Sequence, residues 1–293
     1  MCPQSTSSGM ISRDGMAADA PRAADDPGSV RRPVQRHRTA DAQRLDDDIA
    51  EEVPVAFVYN DAPFAVMMAT PADFEDFALG FALSEGIVDM ASEVAIEGVE
   101  CLLEGVEIRM RIPVHRQQAL EKRRRSLSGR SGCGICGSEL LEAALRQPAA
   151  VGEGVAITAT ALRSALRGLR PLQRLNDRTG ATHAAGWAGI EGCVRLVRED
   201  VGRHNALDKL IGAMSREGVD PQAGFAVVTS RASYEMAMKA ASAGIPLLAA
   251  ISAPTALAIS LAERANLTLI GFAREDGYAV YSHPQRLLPD ARR

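Results

Sequence analysis

The sequence predicts an α/β protein in which a sheet of βα units forms the C-terminal part and a smaller α+β domain precedes it. Between residues 194 and 271, short apolar runs typical of buried strands alternate with amphipathic segments of helical period. Such alternation indicates a mostly parallel sheet covered by helices on both faces. The chain has 293 residues, 46% of them hydrophobic, which is enough for one large or two small domains.

Composition and charge exclude several classes of protein. The 33 basic and 37 acidic residues give a net charge of −4, which disfavours nucleic acid and anionic membranes as main partners. An uncharged stretch over residues 240–262 is interrupted by Gly244, Pro246 and Pro254, and therefore predicts a buried strand between helices rather than a membrane span. Five cysteines are too few for a secreted disulfide scaffold, so we expect a cytoplasmic protein.

Residues 1–48 predict a disordered tail. They contain seven Arg and eight Asp but neither Lys nor Glu, and they lack a periodic apolar pattern. Such a segment buries too little apolar surface to offset the entropy lost on ordering.

An N-terminal α+β domain is predicted over residues 49–125. Apolar runs at 55–59 and 64–68 predict a hairpin, and alternation at 99–103 and 106–112 predicts a second one. Between them lies a helix with Thr70 as its N-cap, Pro71 in its first turn and Gly86 after its end. Its apolar stripe consists of Phe74, Phe77, Ala78 and Phe81. After Pro113 the basic sequence predicts a loop.

A mobile loop over residues 126–137 and a C-terminal domain over residues 138–293 follow. Helices are predicted from Ser138 and over 160–169. The βα series then has strands at 194–197, 225–229, 247–251 and 267–271, helices at 200–214, 232–243 and 254–265, and a last strand at 278–281. Cys101 and Cys193 lie in strand-like runs, where we expect buried, inert thiols.

The CxxC formed by Cys133 and Cys136 is the most informative local feature. Its glycine-rich setting allows the two sulfurs to converge on a metal or on each other. Structural zinc would need further paired ligands, a thioredoxin-like motif would need a compact βαβ unit, and a zinc deaminase would need a His-x-Glu that the sequence lacks at His183. A nucleophilic thiol beside a basic run, suited to carrying a persulfide, accounts for the pattern best.

Three polar clusters follow strands of the predicted sheet, where βα folds usually bind ligands. They are residues 199–205, 229–233 and 272–277. Each cluster alone is more typical of helix capping and solvent exposure, but three in one half of the chain favour an anion site. His183 is as compatible with packing or capping as with catalysis.

Several motifs in a fixed order resemble the formate dehydrogenase accessory sulfurtransferases of the FdhD/NarQ type. The resemblance spans about residues 50–288 and rests on the segments GCGICG at 132–137, TGATHAA at 179–185, EDVGRHNALDK at 199–209, TSR at 229–231 and YSHPQR at 281–286. It implies a cytidine-deaminase-like C-terminal domain and a cytoplasmic homodimer.

The same resemblance implies the reaction. Sulfur would pass from a cysteine desulfurase to a bound acceptor, Mo-bis(molybdopterin guanine dinucleotide), for formate dehydrogenase, with no permanent metal. Cys133 would hold the persulfide and Cys136 would assist. The guanine dinucleotide end of the cofactor would contact six consecutive residues, Phe272, Ala273, Arg274, Glu275, Asp276 and Gly277.

Two hypotheses from different classes follow. The first is an enzyme in which the Cys133 thiolate carries sulfur to the cofactor. The second is a non-catalytic chaperone that binds the cofactor and docks it onto the dehydrogenase, while the CxxC only orders a loop. Changing both cysteines abolishes dehydrogenase activation under the first hypothesis and largely preserves it under the second.

Overall fold

The computed structural model describes residues 28–39, 41–128 and 147–290, with main chain alone for 123–128. These residues form two- and four-stranded sheets in the N-terminal half and a six-stranded sheet in the C-terminal half, with a further short strand pair. The strands are β1 (Ser29–Arg38), β2 (Asp41–Ala50), β3 (Val53–Tyr59), β4 (Ala62–Ala69), β5 (Ala95–Leu102), β6 (Gly105–Arg111), β7 (Ile157–Thr158), β8 (His183–Gly189), β9 (Val194–Asp200), β10 (Gly224–Val228), β11 (Leu247–Ala250), β12 (Thr268–Gly271), β13 (Ala279–Ser282) and β14 (Leu287–Leu288).

Seven α-helices lie within the described residues. They are α1 (Phe74–Ser84), α2 (Val114–Ser128), α3 (Ala159–Leu169), α4 (Arg174–Thr179), α5 (Arg203–Arg216), α6 (Tyr234–Ser242) and α7 (Ala256–Arg264). The predicted helices at 160–169, 200–214, 232–243 and 254–265 are confirmed to within a few residues at their ends. The helix predicted from Ser138 lies outside the described residues. Within the described part of the chain, no helix is long and apolar enough to cross a membrane.

The predicted disordered tail is wrong for the part that the structure describes. Strands β1 and β2 pair antiparallel over ten residues each and form a β-ribbon that joins neither larger sheet. Arginines of β1 face aspartates of β2 directly, as in Arg31 opposite Asp48 and Arg32 opposite Asp47. Cross-strand pairs of opposite charge stabilise such a ladder without a buried core. The absence of apolar periodicity therefore did not imply disorder for this segment.

The four-stranded sheet has the order β4-β3-β6-β5 and carries α1 on one face. Both predicted hairpins are confirmed as β3–β4 and β5–β6, and β3 also pairs parallel with β6. Three phenylalanines unite the helix and the sheet: the ring of Phe57 stacks on Phe81 at 4.5 Å between centroids and meets the edge of Phe77 at 5.0 Å. Aromatic pairs of this kind contribute beyond the area that they bury.

Two local predictions in this half are wrong. Helix α1 begins at Phe74 rather than near its predicted cap Thr70, because Thr70 bonds to Asp200 and Val201 in the other half of the molecule. The predicted loop after Pro113 is the helix α2. Its Arg116 pairs with Glu93 at 2.9 Å, and Arg and Lys are good helix formers whose charged ends remain in water.

The six-stranded sheet has the order β13-β12-β11-β10-β8-β9. Only β10, β11 and β12 run parallel, and the other neighbouring pairs are antiparallel, so the predicted mostly parallel sheet is a mixed one. Strand β8 was not predicted, because its sequence is rich in Gly and Ala, which have low strand propensity. The α/β class and the helices on both faces are confirmed.

Side chains alternate between the two faces of this sheet, as the strand period requires. Ala226 and Val228 point to a core formed with α5, α6 and α7. Phe225 and Val227 point to the opposite core, formed with α3. The strand segments are apolar on both faces, which explains their nearly continuous hydrophobic runs in the sequence.

Helices α1 and α5 hold the two halves of the molecule together at very short range. A Cβ at Gly80 would lie 1.7 Å from the Asp208 carbonyl oxygen, and a Cβ at Gly212 would lie 1.8 Å from the Asp76 carbonyl oxygen. No L side chain fits at either position without separating the helices. Asp200 and Lys209 form a buried ion pair of 2.7 Å beside the joint, and both bond across it to the backbone of Thr70.

We predict that Gly80→Ala destabilises the protein by at least about 1–3 kcal/mol, because the added methyl group overpacks the α1–α5 contact. The matched control is Gly98→Ala, since no heavy atom lies within 4 Å of a Cβ at Gly98. Urea unfolding followed by circular dichroism measures both variants. Equal midpoints for Gly80→Ala and the wild type would show that the helices do not need this close approach.

Candidate functional site

The carboxyl ends of β9 and β10 and the amino end of β8 meet at one edge of the six-stranded sheet. His183, the first residue of β8, lies opposite Asp200, the last residue of β9. Thr229 follows β10 and donates its backbone N–H to the Ala184 carbonyl at 3.0 Å. We call this boundary the carboxyl edge.

The loops after β10, β11 and β12 are joined along the carboxyl edge by backbone hydrogen bonds. Ser252 N–H donates to the Ser230 carbonyl at 3.4 Å, and Phe272 N–H donates to the Ser252 carbonyl at 3.2 Å. All three polar clusters predicted at strand ends therefore lie along one boundary of the sheet. Parallel strands place their carboxyl ends together, which is the physical reason for the agreement.

About half of the side chains in the first cluster, residues 199–205, stabilise the fold. The Glu199 carboxylate caps α4 by accepting from the Leu175 and Asn176 N–H groups at 2.9 and 2.8 Å. The Asp200 carboxylate is fully buried against Lys209 and also accepts from the Asn205 amide at 2.9 Å. Glu199, Asp200 and Asn205 therefore bond to other parts of the protein, and their roles are helix capping and packing.

The other half of the first cluster faces the carboxyl edge. Arg203 and His204 form the first turn of α5, whose N-cap Gly202 offers no side chain and whose first turn contains no acidic residue. The Nε of Arg203 is buried and has no hydrogen-bond acceptor among the described residues. His204 Nε2 lies 2.7 Å from the Glu235 carboxylate at the start of α6.

Positive side chains at a helix N-terminus oppose the helix dipole. Arg203 stands at that end of α5, and Arg231 is exposed in the second cluster at the same edge. An anion at this point would satisfy both the cations and the free N–H groups of the first turn. The arrangement is thus suited chemically to phosphate or another compact anion.

Both histidines of this region have lowered pKa values. Burial lowers the pKa of His183, and the positive charge of Arg203 lowers it further. Burial is also the main cause of the lowered pKa of His204, which Glu235 opposes and Arg203 reinforces. His183 Nδ1 lies 3.5 Å from the Thr229 hydroxyl, so one ring nitrogen of a neutral imidazole is engaged there.

The second cluster, residues 229–233, combines capping with one exposed cation. The Ser233 hydroxyl caps α6 by accepting from Met236 N–H at 3.4 Å, and the Ser230 hydroxyl donates to the Arg231 carbonyl at 3.0 Å. Arg231 itself extends into solvent. Of this cluster, only Arg231 is free to meet a ligand through its charged group.

The third cluster is a surface turn after β12, formed by Phe272, Ala273, Arg274, Glu275, Asp276 and Gly277. Arg274 and Gly277 exchange backbone hydrogen bonds at 2.8 and 3.3 Å, which closes the turn. Phe272 has a φ of 50° and keeps its ring 47% exposed, while Ala273 beside it is buried. An exposed aromatic ring next to a guanidinium and two carboxylates can stack on and hydrogen-bond to a planar heterocycle.

Cys133 and Cys136 lie outside the described residues, between α2 and Gln147. Of the cysteines that the structure describes, Cys101 is exposed and Cys193 is half-buried. The predicted burial of both is therefore wrong for Cys101, whose side of β5 faces solvent. Across the described residues, no group of three or more His, Cys, Asp or Glu side chains is placed to hold a metal ion.

A cleft of about 350 Å³ beside the carboxyl end of β9 was not predicted from the sequence. Its walls come from distant segments and consist of Thr70, Ala72, Asp73, Leu172, Arg174, Leu175, Val197, Arg198 and Glu199. Sequence reasoning also missed Glu235 as the partner of His204. Both features depend on long-range packing, and no local pattern marks them.

The chain is similar in sequence to proteins of one family. The model of the FdhD/NarQ family matches residues 50–288. A protein of Xanthomonas euvesicatoria pv. vesicatoria named "Sulfur carrier protein FdhD" is 62% identical over 261 residues, covering 89% of this chain and 93% of its own. A protein of the same name from Cupriavidus necator is 52% identical over 258 residues, covering 88% and 90% of the two chains.

A solved structure has the same fold. The crystal structure of a protein assigned as a formate dehydrogenase accessory protein of Desulfotalea psychrophila superposes with a TM-score of 0.69 at 24% sequence identity. The match covers 89% of this chain and 100% of that one. The overall fold therefore occurs in a chain of very different sequence.

We predict that Arg203→Gln raises the pKa of His183 toward its ordinary value of 6.5, because a nearby positive charge is removed. A histidine whose folded-state pKa is lowered makes the protein lose stability as the pH falls below its unfolded-state pKa. That loss is smaller in the variant.

An NMR titration of the His183 ring, assigned with His183→Gln, measures the shift. Arg264→Gln, at the far end of α7, is the charge-matched control and leaves the titration unchanged. An identical His183 titration in Arg203→Gln and the wild type would contradict the assigned electrostatic contact.

Proposed function

Because the chain belongs to the FdhD/NarQ family, we propose that it is a sulfurtransferase that carries sulfur as a cysteine persulfide. It takes the sulfur from a cysteine desulfurase and delivers it to Mo-bis(molybdopterin guanine dinucleotide), the cofactor of formate dehydrogenase. The family relationship carries the proposal, since relatives of 62% and 52% identity over most of the chain are named sulfur carriers. The matched range includes both cysteines of the CxxC.

The first chemical step requires one activated thiol. The Cys133 thiolate attacks the outer sulfur of the desulfurase persulfide, the sulfur–sulfur bond of the donor breaks, and the donor cysteine leaves as a thiolate. The basic run at 122–125 before the loop and Arg130 within it favour the thiolate form of Cys133. Cys136 assists release of the sulfur, because a second thiol three residues away can form a disulfide with the first.

The acceptor binds at the carboxyl edge in this proposal. Residues 272–277 contact the guanine dinucleotide end of the cofactor, and the Asp276 and Glu275 carboxylates accept hydrogen bonds from guanine N–H groups. The cations Arg203 and Arg231 along the same edge meet its phosphates. Support for this assignment comes from the surface position of the 272–277 turn and from Arg203 at the start of α5, whose Nε has no hydrogen-bond acceptor among the described residues.

The remaining features of the proposal concern partners and compartment. The transfer takes place in the cytoplasm, where cysteines of the carrier stay reduced. The protein acts as a homodimer and meets two proteins in turn, the desulfurase that loads it and the formate dehydrogenase that receives the sulfurated cofactor. Formate dehydrogenase is the partner that the name of the structurally similar Desulfotalea protein contains.

We expect the intact mass of the protein to increase by one sulfur atom after incubation with a cysteine desulfurase and cysteine. Cys133→Ala removes the increase, because it removes the attacking thiolate. Cys136→Ala keeps it, and so does Cys101→Ala, which serves as the exposed-cysteine control. An increase that persists in Cys133→Ala contradicts the assigned site. No increase in any form favours the cofactor-docking chaperone instead.

We expect Asp276→Asn to weaken binding of GDP by about tenfold, because one charge-assisted hydrogen bond to guanine is lost. Isothermal titration calorimetry measures the affinity, and ADP tests the preference for guanine. Asp177→Asn, an exposed aspartate on α4, is the matched control and leaves the affinity unchanged. Equal GDP affinity in Asp276→Asn and the wild type removes this residue from the guanine contact.

A further inference from the structure

We propose that the β-ribbon is an arm that grips an acidic surface of the formate dehydrogenase and holds it beside the carboxyl edge. The proposal rests on the proposed function for the identity of the partner. It goes beyond that function because it gives a docking role to the β-ribbon, which lies outside the candidate site. Its evidence is the anchoring, the exposure and the charge of the ribbon.

The ribbon is fixed at its root and next to the site. Arg178 of α4 donates to the Ser29 hydroxyl at 2.8 Å and lies 3.6 Å from the Asp48 carboxylate. Gly28, just before β1, packs so closely against Thr70 that a Cβ there would lie 2.6 Å from the threonine methyl. Thr70 in turn bonds to Asp200 at the carboxyl end of β9. The arm therefore rises from the rim of the carboxyl edge.

The outer half of the ribbon is free for a partner. Ten residues per strand correspond to about 33 Å of length. Every residue of the tip, defined as 35–38 and 41–44, is exposed. A two-stranded ribbon alone in water is marginally stable, so an arm of this length gains order from a surface that covers it.

The tip differs in charge from the rest of the molecule. It contains three arginines and one aspartate, a net charge of +2 on a chain whose total is −4. Three of the four acidic residues of β2 lie toward the root, where Asp47 and Asp48 face Arg32 and Arg31, and Asp47 also pairs with the tip residue Arg36 at 2.9 Å. The tip is thus a cationic element that fits a carboxylate-bearing protein surface. The three tip arginines are Arg36, Arg38 and Arg44.

Nucleic acid and lipid fit the tip less well. Binding to a phosphate backbone usually uses many more cationic contacts than three arginines provide, and an aspartate lies among them. A membrane surface is recognised by basic residues together with large apolar side chains, and the tip residues contain no Phe, Tyr, Trp or Leu and one alanine, Ala42.

The test compares two triple variants that remove the same amount of positive charge. The ribbon variant is Arg36→Gln, Arg38→Gln and Arg44→Gln. The control variant is Arg170→Gln, Arg195→Gln and Arg264→Gln, three exposed cations away from the ribbon. Both are assayed for binding to purified apo-formate dehydrogenase, to the desulfurase and to phosphatidylglycerol vesicles at low and high salt, for sulfur loading by mass, and for unfolding in urea.

We expect the ribbon variant to bind the dehydrogenase about tenfold more weakly than the control at low salt and to lose most of the salt dependence. Sulfur loading and the urea midpoint of the ribbon variant stay at the control level. Equal affinities in the two variants overturn the proposal, and so does a defect confined to the desulfurase or to phosphatidylglycerol vesicles. If the wild-type protein binds the dehydrogenase but acquires no sulfur, the proposed sulfur transfer fails while the docking arm stands.

Discussion

The structure depends on the close contact between α1 and α5. Gly80 and Gly212 let the two backbones approach within a distance that no other residue type permits, and each glycine faces a carbonyl oxygen of the opposite helix. This contact brings buried charges within reach of one another: Lys239 of α6 lies 2.9 Å from Asp208 and 2.8 Å from Glu85, next to the end of α1. Because removing one partner would leave a buried charge uncompensated, these pairs fix the relative position of the two halves.

The segment 199–209 serves both the joint and the site. Asp200, Asp208 and Lys209 face the interior and bind α1, its preceding turn or α6, whereas Arg203 and His204 face the carboxyl edge. His204 lies one helical turn before Asp208 on the same face of α5, so the motif runs continuously from the edge into the interior. Any displacement of α5 relative to α1 would therefore also move Arg203 and His204 at the edge.

The sequence predicted local elements well and long-range partners poorly. The hairpins, the βα series and the three clusters at strand ends follow from periodicity and from the common direction of β10, β11 and β12. The start of α1 was misjudged because Thr70 is held by Asp200, 130 positions later. The β-ribbon was missed because its stability comes from cross-strand charge pairs, and β8 because a chain of alanines and glycines can form a strand when it is buried between two others.

The backbone hydrogen bonds between the loops of the carboxyl edge restrict how this site can vary in evolution. Residue 230 is bonded to residue 252 and residue 252 to residue 272, so an insertion in any one loop would break the alignment of the next. Side chains that project from these loops, such as Arg231 and Phe272, carry no such restriction. Relatives that bind other ligands would accordingly keep the lengths of these loops and differ in the side chains that the loops carry. Point mutations would then exchange ligand specificity between relatives without the transfer of whole loops.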